Sequence, residues 1–204
     1  MPDSTPLAAA EHPAQALRRA IRSGDHATHT SGQAPGYVQA NLAILPADYA
    51  REFLTFCQLN ARPCPLLAVG DAGNPFLPTL GEDIDLRSDL PGYRIFVEGE
   101  EVDRVSDITS YWRDDLVSFP LGCSYSFEEA LLQDGVPLKH IQHGERVATY
   151  VTNIDTVPAG RFHGKLVVSM RPMKAADAIR AIQITTRFPN VHGAPIHIGH
   201  PEAI

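Results

Sequence analysis

The sequence predicts a mixed α/β (α+β) fold with two lobes, in which mixed sheets are packed against helices. Lys165–Gly199 reads as a strand, a helix and a second strand. Tyr93–Val97 and Val102–Val105 are β-prone runs on either side of a Glu-Gly-Glu-Glu turn, which indicates a β-hairpin. We expect one lobe over residues 1–116 and a second lobe over residues 117–204.

The first half of the chain predicts two helices and one buried strand. Glu11–Gly24 has a proline near its start, apolar residues on one face and a glycine at its end. Pro46–Asn60 has helical spacing of its apolar residues. Leu66–Val69 is a short apolar run typical of a buried strand. Gly70–Leu90 is a loop rich in Gly, Pro and Asp, whose acidic residues indicate a solvated turn or, alternatively, a cation site.

The second half predicts a helix that begins after Ser126 and runs to Gly135. Ser126 and Glu129 have the spacing of a capping box, in which each side chain bonds a free N–H of the first turn. The remaining predicted elements are a strand over Val147–Thr152, a strand over Lys165–Met170, a helix from Ala175 to about Phe188 and a strand over Pro195–Gly199.

Composition restricts the class of function. The chain has 204 residues, 44% of them hydrophobic, which is enough for a core that needs no disulfide or metal. Its net charge of −7 gives no general reason to bind nucleic acid or an anionic membrane. Three cysteines without zinc-like spacing indicate reduced thiols and a cytoplasmic protein. The chain lacks a run of apolar residues long enough to span a bilayer and an apolar secretory core.

The first group of chemically competent residues lies in the segment Phe119–Glu128. A glycine, a thiol and two hydroxyls come just before the predicted helix, whose free N–H groups could support a carboxylate or an oxyanion. The partial positive charge of the helix N-terminus would also lower the pKa of Cys123. We predict Cys123, Ser124 and Glu128 as catalytic residues and Ser126 as a substrate-binding residue. The alternative is structural, with Ser126 capping the helix and Cys123 buried.

The second group lies in the segment Tyr150–Gly164, where a strand leads into a loop. Binding residues often occupy such loops. Asp155 is a candidate base, and Thr152 and Asn153 are candidate substrate-binding residues. The alternative is a turn in which the Asn153 and Asp155 side chains bond the local backbone.

Two further candidates are single side chains. Arg171 follows a predicted strand, where its guanidinium could hold a carboxylate or form a surface ion pair. His192, His197 and His200 match no zinc motif, so no metal site is predicted. In a strand, the His197 side chain would lie on the face opposite that of its neighbours Ile196 and Ile198. This polar face makes His197 a candidate substrate-binding residue.

Several strings in one order resemble the D-glutamate cyclase family, whose bacterial members are called hydro-lyases. They are FPLGCSYSFE from Phe119, TNID from Thr152 with PAG from Pro158, VVSMRP from Val167, GYVQANL from Gly36, and GAP with HP in Gly193–Pro201. The resemblance extends from about Gly36 to the last residue. Members of the family continue beyond the position of Ile204, so residues absent here are expected to complete the first lobe. Their loss would expose a sheet edge and favour self-association into a homo-oligomer.

The resemblance implies a lyase of amino-acid metabolism that removes water from a small amino or hydroxy acid without a cofactor. The leading reaction is closure of D-glutamate to 5-oxo-D-proline. A second enzymatic reading is metal-assisted elimination of water from a hydroxy acid. From another class, the chain could be a non-catalytic binder of small carboxylic acids or an inactive remnant.

Overall fold

The computed structural model describes residues 12–204. The helices are α1 Pro13–Arg22, α2 Ala47–Leu59, α3 Tyr125–Gln133, α4 Lys139–Gln142 and α5 Ala175–Thr185. The strands are β1 Ala40–Pro46, β2 Tyr93–Val97, β3 Glu100–Val105, β4 Leu116–Gly122, β5 Ala148–Asp155 and β6 Lys165–Met170. Within the described residues the strands pair as β1–β4, β2–β3 and β5–β6.

This architecture confirms the predicted mixed α/β class. Helices form at α1, α2 and α5, and the predicted hairpin is β2–β3. The predicted start of the first helix at Glu11 lies outside the described residues. Each described sheet is antiparallel and two-stranded, whereas mixed sheets were expected. The division into lobes at residue 116 stays a prediction.

Two predicted strands are wrong. Leu66–Val69 runs beside β4 with one isolated bridge, Leu66 to Leu121, because Pro65 has no N–H to extend the pairing backwards and Pro120 has none to extend it forwards. Pro195–Gly199 is an irregular segment bounded by a proline and a glycine, and it leads into a 3-10 turn at Pro201–Ala203. The predicted strand–helix–strand unit therefore lacks its last strand.

The main hydrophobic core lies between α3, α5 and the 3-10 turn at Pro189–Val191. Its buried members are Phe127, Leu131, Val136, Leu138, Ala181, Ile184 and Val191. A second aromatic group joins α2 to β4, where Phe53 meets the fully buried Phe119 edge to face at 4.9 Å. Both groups contact the segment that links β4 to α3, so they fix where its polar side chains lie.

Three of the five acidic residues of the Gly70–Leu90 loop pair with arginines. Asp83 bonds Arg18 of α1, and the buried Asp89 bonds Arg22, with one Nη2–Oδ2 distance of 2.8 Å. Asp85 bonds Arg87. The loop is thus held on α1 by ion pairs rather than solvated. Residues 12–204 contain no group of three or more His, Cys, Asp or Glu side chains placed to hold a metal ion.

None of the helices in residues 12–204 is long and apolar enough to cross a membrane.

Candidate functional site

The site begins where β4 ends and α3 begins. Gly122, the last residue of β4, lies so close to the 3-10 turn that an added Cβ would stand 2.3 Å from the Asn190 carbonyl oxygen. The Cys123 N–H then donates to the Gln39 carbonyl at 2.9 Å. The sequence predicted no strand before α3, whereas the structure has the buried strand β4 followed by a tight turn. The turn presents Cys123 and Ser124 between β1, α3 and the 3-10 turn.

The predicted capping box is wrong. Helix α3 begins at Tyr125 rather than after Ser126, and no side chain caps its N-terminus. Ser126 instead accepts a hydrogen bond from the Gln39 N–H at 2.8 Å, because the adjacent chain leading into β1 brings that backbone within reach. Glu129 accepts from the Gln133 side chain one turn later. Ser126 therefore fastens the start of β1 to α3.

Arg171 reaches from the end of β6 to the start of α3. Its Nη2 donates to Ser124 Oγ at 3.0 Å and to Glu128 Oε1 at 2.6 Å. The guanidinium carbon lies 5.4 Å from the centre of the Phe127 ring. Its Nε is buried and has no hydrogen-bond partner in the structure. Nη2 of the guanidinium is thus anchored, while Nε on the same edge is a strong donor that no group in residues 12–204 satisfies.

Glu128 is the buried counter-charge of this arrangement, with 3% of its surface exposed. His140 Nε2 of α4 approaches Glu128 Oε1 to 3.0 Å, a close contact rather than a well-formed hydrogen bond. Ser31 Oγ donates to Glu128 Oε2 at 3.3 Å. His140 and Ser31 could not be predicted as parts of this site, because α4 is one short turn and Ser31 lies in a polar loop. These contacts occupy both carboxylate oxygens and hold Arg171 in place.

The pKa of the Cys123 thiol is raised, whereas the sequence predicted that it would be lowered. Burial and the Glu128 charge raise the pKa of Cys123, against the lowering effects of the Tyr125 N–H, Arg171 and the Asn41 side chain. Desolvation outweighs the field of the helix terminus because the sulfur sits inside the turn. Cys123 is therefore a protonated thiol near neutral pH.

The three thiols are expected to react in a defined order. The Cys57 and Cys64 thiols are joined by a hydrogen bond. This hydrogen bond raises the pKa of Cys57 and lowers the pKa of Cys64. The thiolate is the reactive form, so Cys64 is expected to be alkylated first by iodoacetamide at pH 7.5. Peptide mass spectrometry over a time course measures the order, with Cys64→Ser as the control. Faster labelling of Cys123 than of Cys64 would contradict it.

The second predicted group lies on β5 rather than in a loop. Thr152 is buried, and its Oγ1 donates to the Leu166 carbonyl at 2.9 Å. The Asn153 amide reaches the Ala203 carbonyl at 3.5 Å. Asp155 is exposed and pairs with Lys165 Nζ at 2.6 Å. These side chains mainly hold the β5–β6 ribbon and the chain terminus together.

The register of that ribbon separates the two predicted groups. Ala148 pairs with Met170 next to Arg171, whereas Asp155 pairs with Lys165 at the opposite end. Met170 lies five positions after Lys165 along an antiparallel strand, which is roughly 17 Å at ~3.4 Å per residue. The structure therefore brings Cys123, Ser124, Glu128 and Arg171 together, with Ser126 beside them, and does not bring Asn153 or Asp155 to them.

The two C-terminal histidines with candidate roles differ in position. His197 lies in the irregular segment, where its Nε2 contacts the His200 carbonyl at 2.8 Å. His192 follows the 3-10 turn that packs on Gly122, and its Nδ1 contacts the Arg62 carbonyl at 2.9 Å. His192 is thus the member of the trio that lies beside the Cys123–Arg171 group, although the sequence favoured His197.

Comparison with known proteins identifies relatives of the whole described fold. Residues 117–204 match the family model for D-glutamate cyclase. A relative from Verminephrobacter eiseniae is 63% identical over 92% of this chain and 68% of its own length. Relatives from Bordetella petrii and Bradyrhizobium diazoefficiens are 59% and 57% identical, over 92% and 94% of this chain and 71% and 70% of their own lengths. All three carry the name "Putative hydro-lyase".

Proposed function

Because this chain belongs to the D-glutamate cyclase family of hydro-lyases, we propose that it removes water from D-glutamate to form 5-oxo-D-proline. The observation that carries the proposal is Arg171, a buried guanidinium anchored on Glu128 with an unpartnered Nε. A free carboxylate is the chemical partner that such a donor selects. The substrate is therefore a small acid whose carboxylate completes the contacts of Arg171.

The reaction requires both an acidic and a basic group. The α-nitrogen forms a bond to the side-chain carboxyl carbon, and one C–O bond of that carboxyl breaks. The ammonium nitrogen loses two protons, and both finish on the departing oxygen as water. The site must therefore hold the spectator carboxylate, support the reacting carboxyl, and supply a proton to an oxygen that leaves poorly as hydroxide.

Cys123 and Ser124 are suited to the reacting carboxyl. The raised pKa of Cys123 keeps a proton on its thiol, so we assign Cys123 as the acid that protonates the departing oxygen. Ser124 Oγ is buried and receives a hydrogen bond from Arg171, which leaves its own proton to support the developing oxyanion. Asn41, beside the Cys123 thiol, orients it.

The other predicted residues have different support. Glu128 is proposed as the anchor of Arg171, since both of its oxygens are engaged. Ser126 is proposed to hold the β1 edge of the site. Roles for Thr152, Asn153, Asp155 and His197 in substrate binding or proton transfer stay predictions, and their contacts in this structure are structural. A cytoplasmic location, a part in amino-acid metabolism and self-association belong to the same proposal.

The test is incubation of the purified chain with D-glutamate and, separately, L-glutamate, followed by chiral chromatography for 5-oxoproline. We expect protein-dependent 5-oxo-D-proline above the spontaneous rate in buffer. Arg171→Lys keeps the charge but removes the planar fork, so we expect turnover to fall by at least tenfold. Arg187→Lys changes an exposed arginine just after α5, so it is the matched control and should retain full activity.

The competing function is a binder of small carboxylic acids without catalysis. The same buried donor on Arg171 supports it, since binding needs the cation and not the proton transfers. A rise in melting temperature with D-glutamate that is lost in Arg171→Lys, without product from the wild-type chain, would establish it. Neither binding nor turnover would overturn both functions.

A further inference from the structure

His192 has an unusual backbone. It follows the 3-10 turn Pro189–Val191 with a φ of +84°, a region that costs energy for a residue with a Cβ. The packing around it enforces this conformation, because Val191 is buried and Asn190 lies against Gly122. Residues held in such conformations cluster at functional sites. His192 thus directly follows the two residues, Asn190 and Val191, that pack against Gly122 at the start of the Cys123 turn.

The hydrogen bond of His192 determines its tautomer. Nδ1 lies 2.9 Å from the Arg62 carbonyl oxygen. A carbonyl can only accept, so Nδ1 carries the proton and donates it. In the neutral ring Nε2 is then an unprotonated acceptor. The Arg62 guanidinium bonds the Ala194 carbonyl and reaches the Pro195 carbonyl at 3.3 Å, which fastens the following segment to the same residue.

The surroundings of His192 favour this neutral form. Burial lowers the pKa of His192, and the positive charge of Arg171 lowers it further, against the raising effect of the Arg62 carbonyl. The groups that act on the ring come from two elements: the charge of Arg171 after β6 and the backbone carbonyl of Arg62 after α2. Cys123, at the end of β4, adds a thiol that stays protonated. His192 thus holds a free basic nitrogen near neutral pH.

We propose that His192 Nε2 is the general base that takes a proton from the α-ammonium group of the substrate. The inference rests on the proposed function and deepens it. An α-carboxylate and an α-nitrogen are bonded to the same carbon, so a substrate gripped by Arg171 presents its ammonium within a few ångströms of that guanidinium. His192 follows the turn that packs against Gly122, the residue before Cys123, and the charge of Arg171 acts on its ring.

The proton balance is complete without another reactant. Nε2 accepts one ammonium proton, the free amine forms the C–N bond, and Cys123 protonates the departing oxygen as the C–O bond breaks. The nitrogen of the closing ring gives up its second proton to the departing oxygen as the amide forms, and that oxygen leaves as water. Exchange with solvent returns the His192 proton to Cys123, so two protons have moved from nitrogen to water.

The test uses His192→Asn, because asparagine tolerates a positive φ and its amide can donate to the Arg62 carbonyl. We expect this variant to keep the wild-type melting temperature and to lose about 10²- to 10⁴-fold in kcat/KM for D-glutamate. In the wild-type chain kcat/KM should fall as the base becomes protonated, and only at a pH below the ordinary histidine pKa of about 6.5, because the pKa of His192 is lowered. Added imidazole should restore part of the activity of the variant. His200→Gln, an exposed histidine nearby, is the matched control.

The outcomes separate this proposal from the proposed function. Wild-type turnover that persists in His192→Asn overturns the base and leaves the cyclase reaction standing. Absence of wild-type turnover overturns the reaction itself. Nitrogen NMR of the free protein reads the tautomer directly, and a proton on Nε2 with a bare Nδ1 at pH 7 overturns the base whatever the assay shows.

Discussion

Replacement of Arg171 by alanine is expected to lower the free energy of unfolding by about 3–5 kcal/mol, the range for breaking a buried ion pair on one side. The cause is Glu128, which is 3% exposed and would keep its charge without the 2.6 Å bond to the guanidinium. Urea unfolding followed by Trp112 fluorescence measures the loss. Trp112 is the sole tryptophan, and its Nε1 donates to the Gly73 carbonyl, so it reports release of the β4 region.

A double variant separates the buried charge from the lost packing. Arg171→Met with Glu128→Leu removes both charges and keeps similar volume, which for buried pairs is often neutral or stabilising. We expect it to recover most of the stability of the wild-type chain while remaining inactive, because the carboxylate donor is gone. A loss below about 1 kcal/mol in Arg171→Ala would contradict the assignment of the Arg171–Glu128 pair as a stabilising contact.

The elements that could be predicted from sequence are those whose signals are local. Helix α1 has Pro13 at its first position, and the β2–β3 hairpin has a turn between two β-prone runs. In both, the pattern that specifies the element lies within about ten residues. These predictions are confirmed because no distant contact has to override the local preference.

The strands that were missed depend on distant partners. Pro120 lies in the middle of β4 opposite Leu42 of β1, and a proline normally argues against an internal strand position. The Pro120 carbonyl still accepts from the Leu67 N–H at 2.9 Å, so the proline removes only its own donor from the sheet. Leu42 and Pro120 are 78 positions apart, so the residues around either one do not reveal that the two strands pair.

The candidate site shows the same division. Gly122, Cys123 and Ser124 could be proposed because a glycine and short polar side chains before a helix are a local signal. Arg171 could be proposed as a cation at a strand end. The distance between Asp155 and Arg171 could not, because it depends on the antiparallel register of β5 and β6. His192 could not be preferred over His197 without the contact of its turn with Gly122.

Replacement of Phe119 by alanine is expected to cost about 3–5 kcal/mol of stability, the range for truncating a buried phenylalanine. Phe119 is fully buried, and its ring meets Phe53 edge to face, so the variant leaves a cavity between β4 and α2. Phe119→Leu keeps most of the volume and should cost less than half as much. Thermal unfolding followed by circular dichroism measures both.

Phe96→Ala is the matched control, because Phe96 lies on β2 with 52% of its surface exposed. Truncation there should change stability by less than about 1 kcal/mol, as for surface positions generally. Equal losses at Phe96 and Phe119 would mean that the β4–α2 core is not the packed unit described here. Phe119 is also three residues from Gly122, yet the hydrogen bonds that hold Arg171 come from α3. Well below its melting temperature, Phe119→Leu should therefore bind D-glutamate like the wild-type chain, which separates the role of β4 in stability from that of α3 in binding.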